Sequence, residues 1–500
     1  MSRELSRRSF LKTAGIALAG AAGTWLAGCK PQEVVVEKVV KETVLVEGEE
    51  KVVKETVVVE KEVAIEAHAP VTINLWGWPS PVWDDKLEVF KETEPNITVN
   101  LSELGDAVWG NQKYMTAVAA GTGPDVSLAN RHTFMQFAAK GAYLDVTPYF
   151  DVDGLSRDDW VAKQFEETCW DGLIYGLPRE TDTRFMYYNR AHFEEGGLDP
   201  DSFPTTYAEL AEQTEKLNIF DASGTPERYG FVPYLYGNSW MWLYGFAFGA
   251  PAISEDKRTI LVDDPRWTAA LEWMVDFYEN YVGDFELTSS FSQAVSAMGM
   301  GDVFAAGKVS MIAHCDTITG SYLRYPDLDW DVAPMPVPPD GVLATWSCGW
   351  SLVIPPSSKE AAAAWKLMKW WTTEDGWRAE AEAQKRETTR VWQREQIEGT
   401  PQYFPNLACH LPSLRMLENE YVADLGPREQ KTWSLNTDLL QNHSRPCGSE
   451  MGLAALDYWV AIDNAARMAL AHEKTPREAL LECKEIAQKA TDEAWEALEA

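Results

Sequence analysis

Between residues 71 and 128 the spacing of apolar positions changes several times. Val71-Thr72-Ile73-Asn74-Leu75 alternates at every second residue, the spacing of a strand with one buried face. From Trp83 to Thr93 the apolar residues Trp83, Leu87 and Phe90 fall at helical spacing, and Pro95 follows the end. Ile97 to Leu101 predicts a second strand and Lys113 to Ala120 a second helix. Gly121-Thr122-Gly123-Pro124 then turns the chain into a third strand at Asp125-Val126-Ser127-Leu128. Strand, helix, strand, helix, strand at this spacing predicts a parallel α/β sheet, whose ligands bind beyond the carboxyl ends of its strands. Trp76, Trp78, Asn130, Arg131 and His132 fall at such ends.

Helical spacing returns at Trp267 to Tyr278 after an Asp-Pro start, at Ala361 to Trp371, at Leu453 to Ala471 and at Pro476 to Ala500. No stretch between residues 70 and 500 has the composition of a linker. The body therefore reads as two α/β lobes interwoven by several crossings.

The first seventy residues follow neither pattern. Ser6-Arg7-Arg8-Ser9-Phe10-Leu11-Lys12 precedes a short Gly/Ala-rich apolar run that ends in Leu26-Ala27-Gly28-Cys29. A basic start, a short apolar stretch and small residues before the cut make a secretory signal, too short and too weakly apolar for a spanning helix. Its paired arginines resemble a twin-arginine export signal, and Leu-Ala-Gly-Cys resembles a lipoprotein box with lipidation at Cys29. Residues 1–28 are thus read as a signal peptide. Residues 29–69 repeat Val-Val-Lys-Glu-Thr-Val at 39–44 and 52–57 and contain no aromatic residue, so they cannot build a core. They read as an extended tether, reaching at most about 140 Å, with a short self-associating helix or strand as the alternative.

Composition removes several function classes. The 44 basic and 77 acidic side chains leave a net charge of −33, which disfavours nucleic acid as a partner. Seven cysteines with no CxxC pair and no Cys/His cluster in the sequence argue against structural zinc and a disulfide-stapled mini-fold. Asp151-Val152-Asp153-Gly154 begins like a calcium loop but lacks the later ligands, and reads as a surface turn. No metal and no cofactor is expected. Twenty-two tryptophans are more than a core needs.

Several segments carry a resemblance. Val71–Trp78, Phe90–Ile97, Ala120–Val126 and Phe137–Asp145 resemble extracellular solute-binding proteins of family 1, the maltose-binding-protein-like sugar receptors of ABC importers. The likeness continues through Ile174–Pro178, Tyr187–Arg190, Phe304–Ile312, Val353–Pro355 and Thr475–Leu480. The resemblance implies two lobes closing on a sugar, one of residues 71–180 and about 350–398, the other of about 181–349 and 399–500. Hinges would lie near Glu180, Thr345 and Gly399. It also implies a monomeric body, a membrane permease with its ATPase as partner, and no catalysis.

A sugar needs flat aromatic faces and charged or amide groups at its rim. On the resemblance, Asn130, Arg131 and His132 read the rim, Asp182 falls on a ligand carboxylate and Trp459 on a stacking ring. His314, Asp316 and Thr317 fall on a loop where relatives place another aromatic. Because Asp316-Thr317 replaces it, Trp346 and Trp350 are expected to supply the stacking. Trp76, Trp78, Glu180, Trp240 and Trp242 complete the candidate set. Trp240 and Trp242 alternate like a strand face or pack in a helix start, so each is open between ligand and core. Asp182 and Asp316 are open between ligand contact and hinge or cap, and His132 and His314 between ligand contact and satisfied loop histidines. Two further functions stand as alternatives: a glycosidase using Glu180 with Asp182 as its carboxylate pair, and a cell-surface carbohydrate adhesion protein.

Overall fold

The computed structural model describes residues 34–46, 49–62, 69–103, 112–235, 240–297 and 302–500. The expected export signal around Arg7-Arg8 and the expected lipidation site Cys29 lie outside the described residues. The chain divides into two units, Met1–Ala69 and Pro70–Ala500. Within the first, Val34–Val46 pairs antiparallel with Glu49–Glu62, with a register shift between Glu42 and Thr43. The two Val-rich copies lie opposite one another, Val39 against Val57, Lys41 against Glu55 and Glu42 against Lys54. β-Branched residues favour this backbone. Pairing shortens the reach of a segment read as an extended tether from about 140 Å to roughly 45 Å.

The body holds two five-stranded sheets. The first runs in the order Ile97–Glu103, Val71–Gly77, Val126–Asn130, Trp350–Val353, Gly176–Pro178. Its first three strands are parallel, as their helical crossovers require, but Trp350–Val353 is antiparallel to both neighbours. The sheet is therefore mixed where the sequence predicts a parallel one. The fourth strand arrives from a late crossing, a connection that local pattern does not encode. Helix Pro81–Thr93 covers this sheet; Ser80 caps it by accepting from Trp83 N, and Trp83, Lys86 and Phe90 are buried. Ile73, Leu75, Val126, Leu128 and Phe90 form the centre of this lobe's core.

The second sheet runs Ile219–Phe220, Pro226–Phe231, Val309–Cys315, Arg184–Asn189, Trp330–Ala333. Helix Pro265–Phe277 packs beside it, started by Asp264 as cap with proline in the first turn. Helix Ala455–Leu470 packs on Pro476–Glu499, which opens with a reciprocal Thr475–Glu478 capping box. Two short ladders lie outside these sheets: Glu180–Thr181 pairs antiparallel with Leu407–Ala408, and Thr345–Ser347 pairs parallel with Ser444–Pro446.

A helix of 22 residues, Glu374–Glu395, has no counterpart in the sequence reading. Its buried face is Gly376, Trp377, Ala379, Glu380, Ala381, Ala383 and Trp392. Small residues and a buried glutamate replace the large apolar stripe that periodicity detects. Glu380 closes an ion network inside the first lobe, with Lys86 Nζ at 2.8 Å and Arg179, which also pairs with Glu180.

Candidate functional site

A cavity of about 410 Å³ is lined from both sheets and from the crossings between them. Asn130 and His132 stand at the end of the Val126–Asn130 strand, and Trp350 starts its antiparallel neighbour. Arg184 and the His314-Cys315 pair come from strands of the second sheet. Asp182, Trp346, Cys348 and Gly349 belong to the connecting segments, Trp240 precedes helix Met241–Ala247, and Trp459 sits on helix Ala455–Leu470.

The strand's last residue shapes the first wall. Asn130 Oδ1 accepts from His132 N at 2.9 Å and lies 2.6 Å from His132 Nδ1, which holds the imidazole at the strand end. The ring meets Trp459 edge-on, with centroids 4.5 Å apart, and lies 5.8 Å from Trp346. Trp346 and Trp459 are tilted at 49° with centroids 5.2 Å apart, and Trp240 lies at 86° to Trp346. The result is a set of indole surfaces at different angles. The guanidinium of Arg184 sits 3.9 Å over Trp346 and donates to Trp346 O at 3.0 Å.

Asp182 supplies the carboxylate. It pairs with Arg184 and accepts from Cys348 N at 2.7 Å. Burial raises its pKa above the ordinary value, and the Arg184 charge opposes the rise. On the other wall, burial would raise the Cys315 thiol, but the adjacent His314 imidazole outweighs it and brings the thiol down to about 7. His314 moves the opposite way: burial would lower it, yet the Cys315 charge leaves it raised. Gly349 is required by close approach. A Cβ there would stand 2.3 Å from Glu180 O and 2.7 Å from an Arg131 guanidinium nitrogen.

Of the thirteen candidate ligand residues, eight line this cavity: Asn130, His132, Asp182, Trp240, His314, Trp346, Trp350 and Trp459. Five do not. Trp242 is 1% exposed and packs on Trp267 and Tyr458. The segment is a helix, so residues two apart point about 200° apart, and Trp240 and Trp242 go to different surroundings. Asp316 is 1% exposed; it accepts from Thr183 N at 3.1 Å and Asn436 Nδ2 at 2.9 Å, a structural role. Its neighbour Thr317 lines a different cavity. Glu180 is turned into the Arg179 ion pair. Trp76 packs against Tyr114 and under Lys113, and Trp78 stands behind the wall, edge-on to Trp350 at 4.7 Å. Arg131 is fully buried and serves the frame, donating to the carbonyls of Glu180, Cys348 and Trp350 and pairing with Glu167 at 2.9 Å.

Arg184, Cys315 and Cys348 line the cavity and were not among the candidates. Arg184 stands two residues after a candidate carboxylate, and Cys348 between two candidate tryptophans. Those adjacencies were the available signals.

Two α/β lobes with a polar, indole-lined cavity between them define the class: a two-lobed solute-binding fold. The profile of the bacterial extracellular solute-binding protein family matches residues 76–376, and the chain belongs to that family. A putative binding protein of Brucella abortus (strain 2308) is 26% identical over 314 residues, 60% of this chain and 70% of the relative. The mannitol-binding protein of Pseudomonas aeruginosa is 25% identical over 302 residues, 57% of this chain and 65% of that protein. Among solved structures, CpMnBP1 with mannobiose bound superposes with a TM-score of 0.65 at 22% identity, covering 84% of this chain and all of its own. The sugar-binding protein MalE from Xanthomonas citri also gives 0.65, at 18% identity, with 86% and 99% covered. Membership places the protein outside the cytoplasm, among binding proteins. Among the described residues no helix is long and apolar enough to cross a membrane.

Proposed function

We propose that this protein is a lipid-anchored extracytoplasmic receptor that binds a sugar or polyol in the cavity and delivers it to an ABC permease. The observation that carries the reading is the convergence of Trp240, Trp346, Trp350 and Trp459 on one cavity with Asp182, Arg184, Asn130 and His132. Indole faces suit the C–H faces of a sugar ring, and a charged carboxylate and guanidinium suit its hydroxyls. The mannitol-binding relative and the mannobiose-bound structural neighbour support the same ligand class. Binding without turnover is the better reading of the carboxylates. A glycosidase sets two beside the scissile bond, whereas among the described residues Asp182 is the one carboxylate lining the cavity and Glu180 is held by Arg179.

Ligand contacts drawn from both lobes would favour a closed form, since differential affinity is what shifts such an equilibrium. The test is a thermal-shift panel of mono-, di- and oligosaccharides and polyols, followed by titration calorimetry. At a hundredfold excess over Kd the ligand should add about 2.7 kcal/mol of stability. A panel without a stabilising member would sink the ligand class. The anchor is tested separately: Cys29→Ala should release the protein from membranes, and unchanged membrane retention would remove the lipoprotein reading.

A further inference from the structure

We infer that Cys348 and Cys447 are joined by a disulfide in the exported protein, formed when Cys348 on the cavity wall attacks a small organic disulfide and Cys447 closes the bond. Both are thiols in this structure, and about 100 residues separate them, so no local spacing pairs them. The fold brings their sulfurs within 4.8 Å of each other.

The backbone sets this approach. The parallel ladder of Thr345–Ser347 with Ser444–Pro446 ends with Ser347 opposite Pro446, so Cys348 and Cys447 are the next residues on each strand. Cys447 N continues the pairing by donating to Ser347 O at 3.0 Å. Neighbouring strands stand about 4.8 Å apart, inside the window of roughly 4.4–6.8 Å between Cα atoms that a disulfide spans. One buried ion pair clamps both segments. Arg131 donates to Cys348 O at 2.7 Å, and Glu167, paired with Arg131 at 2.9 Å, accepts from Gly448 N at 2.6 Å. The two cysteines therefore stand on a fixed frame, and side-chain rotation closes the remaining gap.

Access and ionisation order the steps. Cys348 lines the cavity, whereas Cys447 is 1% exposed. Burial would raise the Cys348 thiol, but its hydrogen bond with Cys447 and the charge of His132 outweigh that and hold it well below its ordinary value. His132 Nδ1 lies 2.8 Å from the Cys348 sulfur. Burial and the neighbouring Cys348 thiolate push Cys447 the other way. The thiolate is the nucleophile of disulfide exchange, so Cys348 attacks first. Its sulfur bonds to one sulfur of the organic disulfide, whose S–S bond breaks and releases one small thiolate. Cys447 then attacks the Cys348 sulfur of this mixed disulfide, and the second small thiolate leaves. The two protein thiol protons pass to the two released thiolates. The protein is oxidised by two electrons, and the organic disulfide is reduced to two thiols. Compartments outside the cytoplasm sustain such bonds. The inference rests on the location that family membership gives, and not on which solute is bound.

The test starts from the full chain in the cells that export it. Acid quenching and alkylation of free thiols, followed by peptide mapping without reduction, should recover Cys348 and Cys447 as one linked pair. Recovery of both as alkylated thiols, or of either joined to a different cysteine, would overturn the inference. This mapping reads the parent alone and does not depend on any variant folding. The order of steps is read on reduced protein treated with hydroxyethyl disulfide. Cys447→Ser should keep one thiol adduct at Cys348, and Cys348→Ser should label Cys447 at least about tenfold more slowly. Equal labelling of the two would remove Cys348 as the attacking thiol. A bond that closes a loop of this length should raise Tm by about 5 °C, and reduction of the parent should reverse that gain. The double variant Cys348→Ser with Cys447→Ser should melt at the same temperature with and without reductant. A drop on reduction as large as the parent's would place the linkage elsewhere.

Discussion

Glu180 and Asp182 stand two residues apart, yet one is sealed into the protein and the other faces the cavity. Glu180 lies on the short strand Glu180–Thr181 and pairs with Arg179, which also holds Glu380, itself paired with Lys86. Strand pairing ends at Thr181, so the rule that residues two apart share a face does not carry on to Asp182. Asp182 turns toward Arg184 and the cavity. Its side chain is 17% exposed, whereas those of Glu180 and Glu380 are 9% and 1% exposed. Both clusters are ion pairs with hydrogen bonds. The difference is access: water or a solute can replace a partner in the cavity, and nothing can replace one in the sealed network. Buried charge in this fold therefore stands in two settings, inside a lobe and on the wall of the cavity.

The largest expected effect tests the sealed side. Glu380→Gln leaves Lys86 and Arg179 without their common partner and should cost about 3–5 kcal/mol of unfolding free energy. Ligand affinity per folded molecule should stay near that of the parent. Denaturant unfolding with calorimetric titration checks both, and a loss below about 1 kcal/mol would mean the network is solvated. The same variant carries a pH signature. Burial would raise the Glu380 carboxyl, but Arg179 and Lys86 outweigh it and bring it from its ordinary 4.5 down to about 2. A depressed carboxylate contributes stability above its unfolded pKa and loses it as pH falls through the folded one. The gap between parent and Glu380→Gln should therefore narrow by about 2 kcal/mol between pH 5 and pH 3. A gap that stays constant would show that the carboxylate titrates normally.

On the cavity side, Trp459→Ala removes a half-buried ring that touches His132 and Trp346. It should weaken the best sugar by about 2 kcal/mol, roughly thirtyfold. Trp242→Ala is its counterpart in the core, expected to lower stability by about 3–5 kcal/mol with affinity nearly unchanged. Equal affinities for Trp459→Ala and the parent would remove this cavity as the binding site.

The contrast itself was not legible in the sequence, where Glu180 and Asp182 both stood as candidate ligand residues, but much of the first lobe was. The strands and helices of residues 71–128 follow from alternating and helical spacing, and the candidate tryptophans around Gly349 came from the family resemblance, as substitutes for the aromatic that Asp316-Thr317 replaces. The sealed network was not legible, because Lys86, Arg179 and Glu380 are brought together by packing across about 300 residues. Helix Glu374–Glu395 hides its buried face behind alanines and a glutamate. Trp240 and Trp242 looked equivalent because alternation cannot tell a strand from a helix whose residues are all buried. Asp316 looked like a ligand carboxylate because nothing local announces that Asn436, 120 residues away, occupies it.

The smallest expected effect decides the comparison most directly. Asp182→Asn keeps an oxygen to accept from Cys348 N and removes only the charge opposite Arg184. Arg184 retains its bond to Trp346 O and its place over the Trp346 ring, and the cavity gives it access to water. The stability loss should then be about 1 kcal/mol, the range of a partly exposed ion pair, against the 3–5 kcal/mol expected at Glu380. Affinity for a sugar should fall by about 1.5 kcal/mol, the worth of a hydrogen bond to a charged acceptor. Because burial raises the parent's Asp182 pKa, protonation on acidification should begin at a higher pH than for an exposed aspartate and weaken parental binding there. Asp182→Asn should lose that portion of the pH dependence. If it instead destabilises the protein as much as Glu380→Gln, Asp182 belongs to the sealed frame, and the distinction between the two clusters fails.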